Sequence, residues 1–196
     1  MMEKIAHDYD RTSITEEQAS PLAWVARGMK SKTAPEYRLP VVLVEAASRD
    51  AALNLQPAKI LHLLMAEAQF SGSRSVIVPS AASRMVINAG RARARDAALA
   101  LQELVLFVGV VGFTSTPAYA LKVVDHVELR ENEIEFVLSR QMIDALNATG
   151  PFARVDLRDV IACTKLPALA LLPLVEYRRR HSRGPGSRWG CISSQP

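Results

Sequence analysis

Residues 74–104 read RSVIVPSAASRMVINAGRARARDAALALQEL, and the reading of this stretch decides the fold. Val76-Ile77-Val78 is a short apolar strand, and Pro79-Ser80-Ala81-Ala82 opens a first helix with Ser80 as its expected cap. Asn88-Ala89-Gly90 then breaks that helix, because Asn and Gly accept the left-handed backbone of a tight helix-to-helix turn. Beyond the break, Ala94, Ala97, Ala98, Leu101, Leu104 and Val105 recur at three- and four-residue steps and make one apolar face. Arg91 and Arg95, one turn apart, leave a common side of this second helix, with Arg93 flanking them. Helix, short turn, basic-tipped helix is the pattern of a helix-turn-helix.

The flanking sequence extends that pattern. Upstream, Leu39–Val44 is apolar and β-branched enough for a strand. Asn54-Leu-Gln-Pro57 then starts a helix striped by Ile60, Leu61, Leu64, Met65 and Ala68 and ending near Gly72. His62 falls outside the stripe and reads as a surface residue. Downstream, Phe107–Phe113 has β character with glycines that suit bulges, and Thr114–Pro117 is a loop. Tyr119 to Leu129 alternates apolar and polar residues, Arg130–Glu133 turns, and Ile134, Phe136 and Leu138 return with the same period of two. Three helices followed by a β-hairpin predict a winged helix, within an α/β (α+β) fold class. Ser139 is expected to cap a helix over Gln141–Asn147 that Gly150-Pro151 terminates, and Asp156–Asp159 to begin another. An apolar helix over Ala168–Tyr177 follows, which Pro173 should kink or split at a cost of about 3 kcal/mol. The first 38 residues read as a mobile arm, with a capping signal at Ser13-Ile-Thr15-Glu before a short helix through Trp24 and Met29.

Hydrophobic residues are 49% and charged ones 22%, a balance that fits a folded domain and excludes a disordered chain. Charge is uneven: residues 74–95 hold five arginines and no acid, as do residues 178–196, whereas the first forty balance six acids with six bases. Two such stretches at pI 9.3 fit a polyanionic partner or two solvated basic surfaces. Cys163 and Cys191 form no disulfide framework, and the apolar runs are too short or too broken by proline to span a bilayer. A cytoplasmic protein is expected.

Sites of chemistry are few. The chain has no P-loop, and Gly184-Pro-Gly186 lacks both a third glycine and a preceding strand, so it reads as a turn. His7, His62, His126 and His181 stand apart, without partners at metal-ligand spacing. No catalytic residue, metal or cofactor is expected. The basic helix is the exception. Arg91, Arg93 and Arg95 occupy the end of a recognition helix that enters the major groove, where arginine bonds guanine or phosphate. Arg84, Ser80, Ser83 and Arg74 are candidate phosphate contacts around it. Three arginines oppose the helix macrodipole at that end, which favours an anionic partner as the reason for their presence.

The order of these pieces resembles the plasmid replication initiators that bind origin repeats through paired winged helices. Leu53–Leu64 is similar to the opening strand and first helix of that family's N-terminal winged helix, and Arg91–Leu104 with Val105–Phe113 to its third helix and following strand. Val127–Leu138 with Ser139–Leu146 resembles the hairpin and the helix behind it. Phe152–Ile161 with Leu166–Arg179 resembles the segment that joins the two domains, and Trp189–Ser193 the strand after it. The likeness covers roughly residues 50–193 and rests on the pattern of apolar positions. Pro173 stands where the family tends to have an aromatic residue, and the second winged helix is expected to be incomplete.

The resemblance implies three segments: an arm over 1–38, a winged-helix domain over 39–150, and a linker with the start of a second unit and a basic tail over 151–196. It implies binding of double-stranded DNA at origin repeats, with host replication proteins as further partners and a homodimer as the assembly. A winged-helix transcriptional regulator and a protein-interaction or dimerisation module are the alternatives.

Overall fold

The computed structural model describes residues 20–30, 33–41, 43–44, 54–108 and 119–181. The capping signal at Ser13, the glycines at 109 and 112, the loop at 114–117 and the tail strand near Trp189 lie outside these residues. In chain order the elements are α1 (Pro21–Ala26), β1 (Glu36–Pro40), α2 (Leu55–Ser71), β2 (Ser75–Pro79), α3 (Ser80–Ile87), α4 (Arg91–Gln102), β3 (Val105–Val108) and β4 (Tyr119–Lys122). They continue with β5 (Val124–Leu129), β6 (Glu133–Leu138), α5 (Arg140–Leu146), β7 (Phe152–Asp156), α6 (Leu157–Ala162) and α7 (Leu166–His181). The architecture is mixed α+β with antiparallel sheets.

Helix α2 is the centre of the core. Every residue from Pro57 to Ala66 is buried, so the stripe expected along one side is in fact apolar contact on all sides. Each fully buried Leu or Ile there contributes about 1.5–3 kcal/mol. Two polar residues share this environment. Lys59 Nζ donates to the Ile161 carbonyl (2.6 Å) and so ties α2 to the end of α6. His62, expected at the surface, is 5% exposed. Its Nδ1 and the Tyr37 hydroxyl hydrogen-bond to each other, which satisfies both buried groups. Burial holds the His62 pKa down to about 4 and pushes Tyr37 up. Gly72 ends α2 in the left-handed conformation (φ +69°), with its N–H on the Ala68 carbonyl.

The segment read as an arm contributes to this core. Ser20 Oγ caps α1 by accepting from Ala23 N, and Trp24 and Val25 are buried. Leu22 N–H donates to Glu67 on α2 (3.0 Å). β1 pairs antiparallel with β7 from Glu36↔Asp156 to Pro40↔Phe152, so strand pairing crosses the boundary expected at residue 150. β7 itself is a strand where only a connecting segment was read. The strand expected over Leu39–Val44 stops at Pro40: Val41, Leu43 and Val44 are helical, and proline has no N–H to extend a ladder.

The second sheet is three-stranded in the order β2–β6–β5. β2 and β6 alternate buried and outward positions, as period two requires. The single alternating strand expected from Tyr119 to Leu129 is two strands. Val123 and Val124 are both fully buried, the ladder slips between Val124 and His126, and Val123 N–H turns to the Leu104 carbonyl. β4 therefore pairs with β3, while β5 pairs with β6. Ser139 caps α5 through Met142 N (2.9 Å), as its position predicts. α7 runs through Pro173 as one helix, so of the kink or split expected there the split does not occur.

Candidate nucleic-acid interface

α3 and α4 meet at Asn88, whose backbone is left-handed (φ +51°), while Gly90 takes an extended conformation as the cap of α4. The break thus turns on Asn88 and not on the glycine. Ala94, Ala97, Ala98 and Leu101 face the core. With 3.6 residues per turn, Arg91 and Arg95 leave on one flank of that buried stripe and Arg93 on the other. Arg91 and Arg93 are exposed and Arg95 is half-buried. Among the described residues none of the three is paired with a carboxylate. Arg91 donates to the backbone carbonyl of Glu131, in the turn between β5 and β6.

The other expected contacts divide. Ser80 is the first residue of α3 and not its cap; its N–H donates to the Asn132 carbonyl (2.8 Å). Arg84 is exposed, with Nε donating to the Ser80 carbonyl at 3.3 Å, and among the described residues no carboxylate compensates its charge. Ser83 is fully buried, and a hydroxyl without solvent access cannot reach a phosphate; it leaves the candidate set. Arg74 is committed to the fold. Its Nε donates to the Leu138 carbonyl (3.0 Å) and a terminal nitrogen pairs with Asp125 (2.8 Å), fastening the start of β2 to β5 and β6.

The hairpin beside α4 has the opposite sign. Residues 124–138 carry Asp125, Glu128, Glu131, Glu133 and Glu135 against one arginine, Arg130. Glu128 and Glu135 stand directly opposite each other across β5 and β6, an arrangement that repels. Arg130 resolves it by bonding Glu128, Glu133 and Glu135 together. Its hydrogen bonds and charge hold the Glu128 carboxyl below the usual carboxylate range. The sequence VDHVELRENEIEFVL carries this signal, since its acids outnumber its bases, whereas its period of two reports only the shape of the strands.

Among the described residues no group of three or more His, Cys, Asp or Glu is placed to hold a metal ion. Nor is any of their helices long and apolar enough to cross a membrane.

The mixed α+β fold has a counterpart among solved structures. The chain is similar to the Pi initiator protein solved in complex with iteron DNA, at 13% identity and a TM-score of 0.55. The likeness is one of fold. It covers 76% of this chain and 66% of the initiator chain, so this chain spans just under two thirds of that protein's length. No protein-family model matches the sequence, and no curated protein matches it.

Proposed function

We propose that the chain is a non-catalytic DNA-binding protein of the plasmid replication-initiator kind, a winged helix in which α4 is the recognition helix and β5–β6 the wing. The observation that carries the reading is the group of three arginines at the start of α4, all reaching solvent and none paired with a carboxylate among the described residues. Arg93 and Arg95 keep their hydrogen-bonding forks for phosphate or guanine, and Arg91 keeps what its bond to the Glu131 carbonyl leaves. The fold of an initiator solved with iteron DNA supports the same partner. Arg84 extends the basic surface onto α3, whereas the acidic hairpin is the edge of that surface and not part of it. Host replication proteins and a second copy of the chain are the further partners this reading carries.

The test is fluorescence anisotropy with duplexes that carry direct repeats, a palindrome or neither. An initiator prefers the direct repeats and loses affinity steeply as salt rises, because each neutralised phosphate releases counterion. A preference for the palindrome points to a transcriptional regulator. Salt-independent or absent binding rejects a DNA partner altogether.

A further inference from the structure

Away from α4, the solvent side of the β1–β7 ribbon is banded in register. Glu36 faces Asp156, Arg38 faces Arg154, and Pro40 faces Phe152. Glu36, Arg38 and Arg154 are exposed and Asp156 and Phe152 half-buried on the outer face, whereas Pro40 is buried and leaves the apolar band to Phe152; Tyr37, Leu39, Ala153 and Val155 point into the core. Acidic, basic and apolar bands therefore follow one another at about 7 Å, two residues of an extended chain. The β1 side of this face opens into a groove of about 550 Å³, bounded by Gln69 and Phe70 at the end of α2 and by residues 147–150. That volume lies within the range of ligand sites.

The basic band is rigidly held. The Arg38 guanidinium lies 4.9 Å from the centre of the Phe152 ring, a cation–π contact that keeps it flat. Its backbone is locked as well: Arg38 N–H donates to Gln69 Oε1 (3.0 Å) and Gln69 Nε2 donates back to the Arg38 carbonyl. Gln69 thereby takes the place that a neighbouring strand would occupy, so recognition here falls to side chains. Among the described residues Arg38 has no carboxylate partner, and Arg154 has only Glu36 at 3.8 Å. Phe70, 42% exposed, offers an apolar surface beside them.

We infer that this groove binds an extended polypeptide segment of a partner protein carrying an apolar, an acidic and a basic residue at alternate positions. The apolar residue packs on Phe152 and Phe70, the acid takes a forked hydrogen bond from Arg38, and the base meets Glu36. The acidic band decides against a nucleic acid strand, whose uniform charge would be repelled by Glu36 and Asp156. The inference is independent of the DNA-binding reading, because it uses none of its residues.

Fluorescence anisotropy of the whole 196-residue chain with labelled peptides tests it. SLTETKS and its reversal SKTETLS present the pattern in the two chain directions, and SLTKTES exchanges acid and base. At least one of the first two is expected to bind, with SLTKTES about tenfold weaker. Arg38→Ala should weaken the bound peptide by about tenfold, while duplex DNA affinity stays unchanged. Phe70→Ala, at an exposed position, should also weaken it, and it keeps the test readable if Arg38→Ala does not fold. Equal binding of SLTKTES, no binding of either patterned peptide at millimolar concentration, or displacement of the peptide by a fifteen-nucleotide oligothymidylate would overturn the inference.

Discussion

The start of α4 and the turn of the β5–β6 hairpin touch through Arg91 and the Glu131 carbonyl, yet they are opposites in charge and in how that charge is held. On the helix, Arg93 and Arg95 have no charged partner among the described residues. On the hairpin, one guanidinium is enclosed by three carboxylates. The same side chain stands open to solvent in the first place and joins strands in the second, and what separates the two is the company within reach. A count of arginines along the chain misses this difference; the distribution of acids around them reveals it.

The core beneath both regions can be separated from them by pH. His62 has a folded pKa of about 4 against an ordinary value near 6.5, so between those values the unfolded chain takes up a proton that the folded one refuses. Stability is then complete above about pH 6.5 and is lost as pH falls toward 4, by roughly 3 kcal/mol. Chemical denaturation at pH 7 and pH 4.5 should show the loss, and His62→Gln should remove most of the pH dependence. Next in size is the hairpin. If its acids limit the DNA surface, Glu131→Lys with Glu133→Lys should raise duplex affinity about tenfold at low salt. An unchanged affinity would place the DNA away from the hairpin altogether. A smaller effect is expected of Arg93→Ala, a several-fold loss of duplex affinity with the salt slope reduced by about one. Arg91→Ala should cost less, because its guanidinium is already shared with the hairpin. Smallest is Arg74→Ala. An ion pair about half-exposed on both sides is worth at most about 1 kcal/mol, seen in the denaturation midpoint, with no change in DNA binding.

Local signals carried far in this sequence. The α3–α4 break, the Ser139 cap and the β5–β6 hairpin all depend on short-range backbone chemistry and were legible. What escaped depends on distant partners. Tyr37 is what makes His62 a core residue; β1 is what makes Phe152–Asp156 a strand; Asp125 and the Leu138 carbonyl are what commit the exposed Arg74 to the fold. Ser83 was misplaced for a related reason, since a serine on the buried side of a short helix looks like a contact until the helix is packed. In the candidate interface the arginines of α4 could be named from spacing alone, but the acidic neighbour that limits them could be weighed only once the hairpin stood beside the helix.

The most direct test of the account compares the chain with its Arg91→Ala, Arg93→Ala, Arg95→Ala triple variant on a repeat-bearing duplex across a salt series. The account expects affinity to fall on the order of 100-fold at low salt and the slope of log affinity against log salt to shrink by two or three, with the fold intact by circular dichroism. An affinity and a slope indistinguishable from those of the unaltered chain would contradict it.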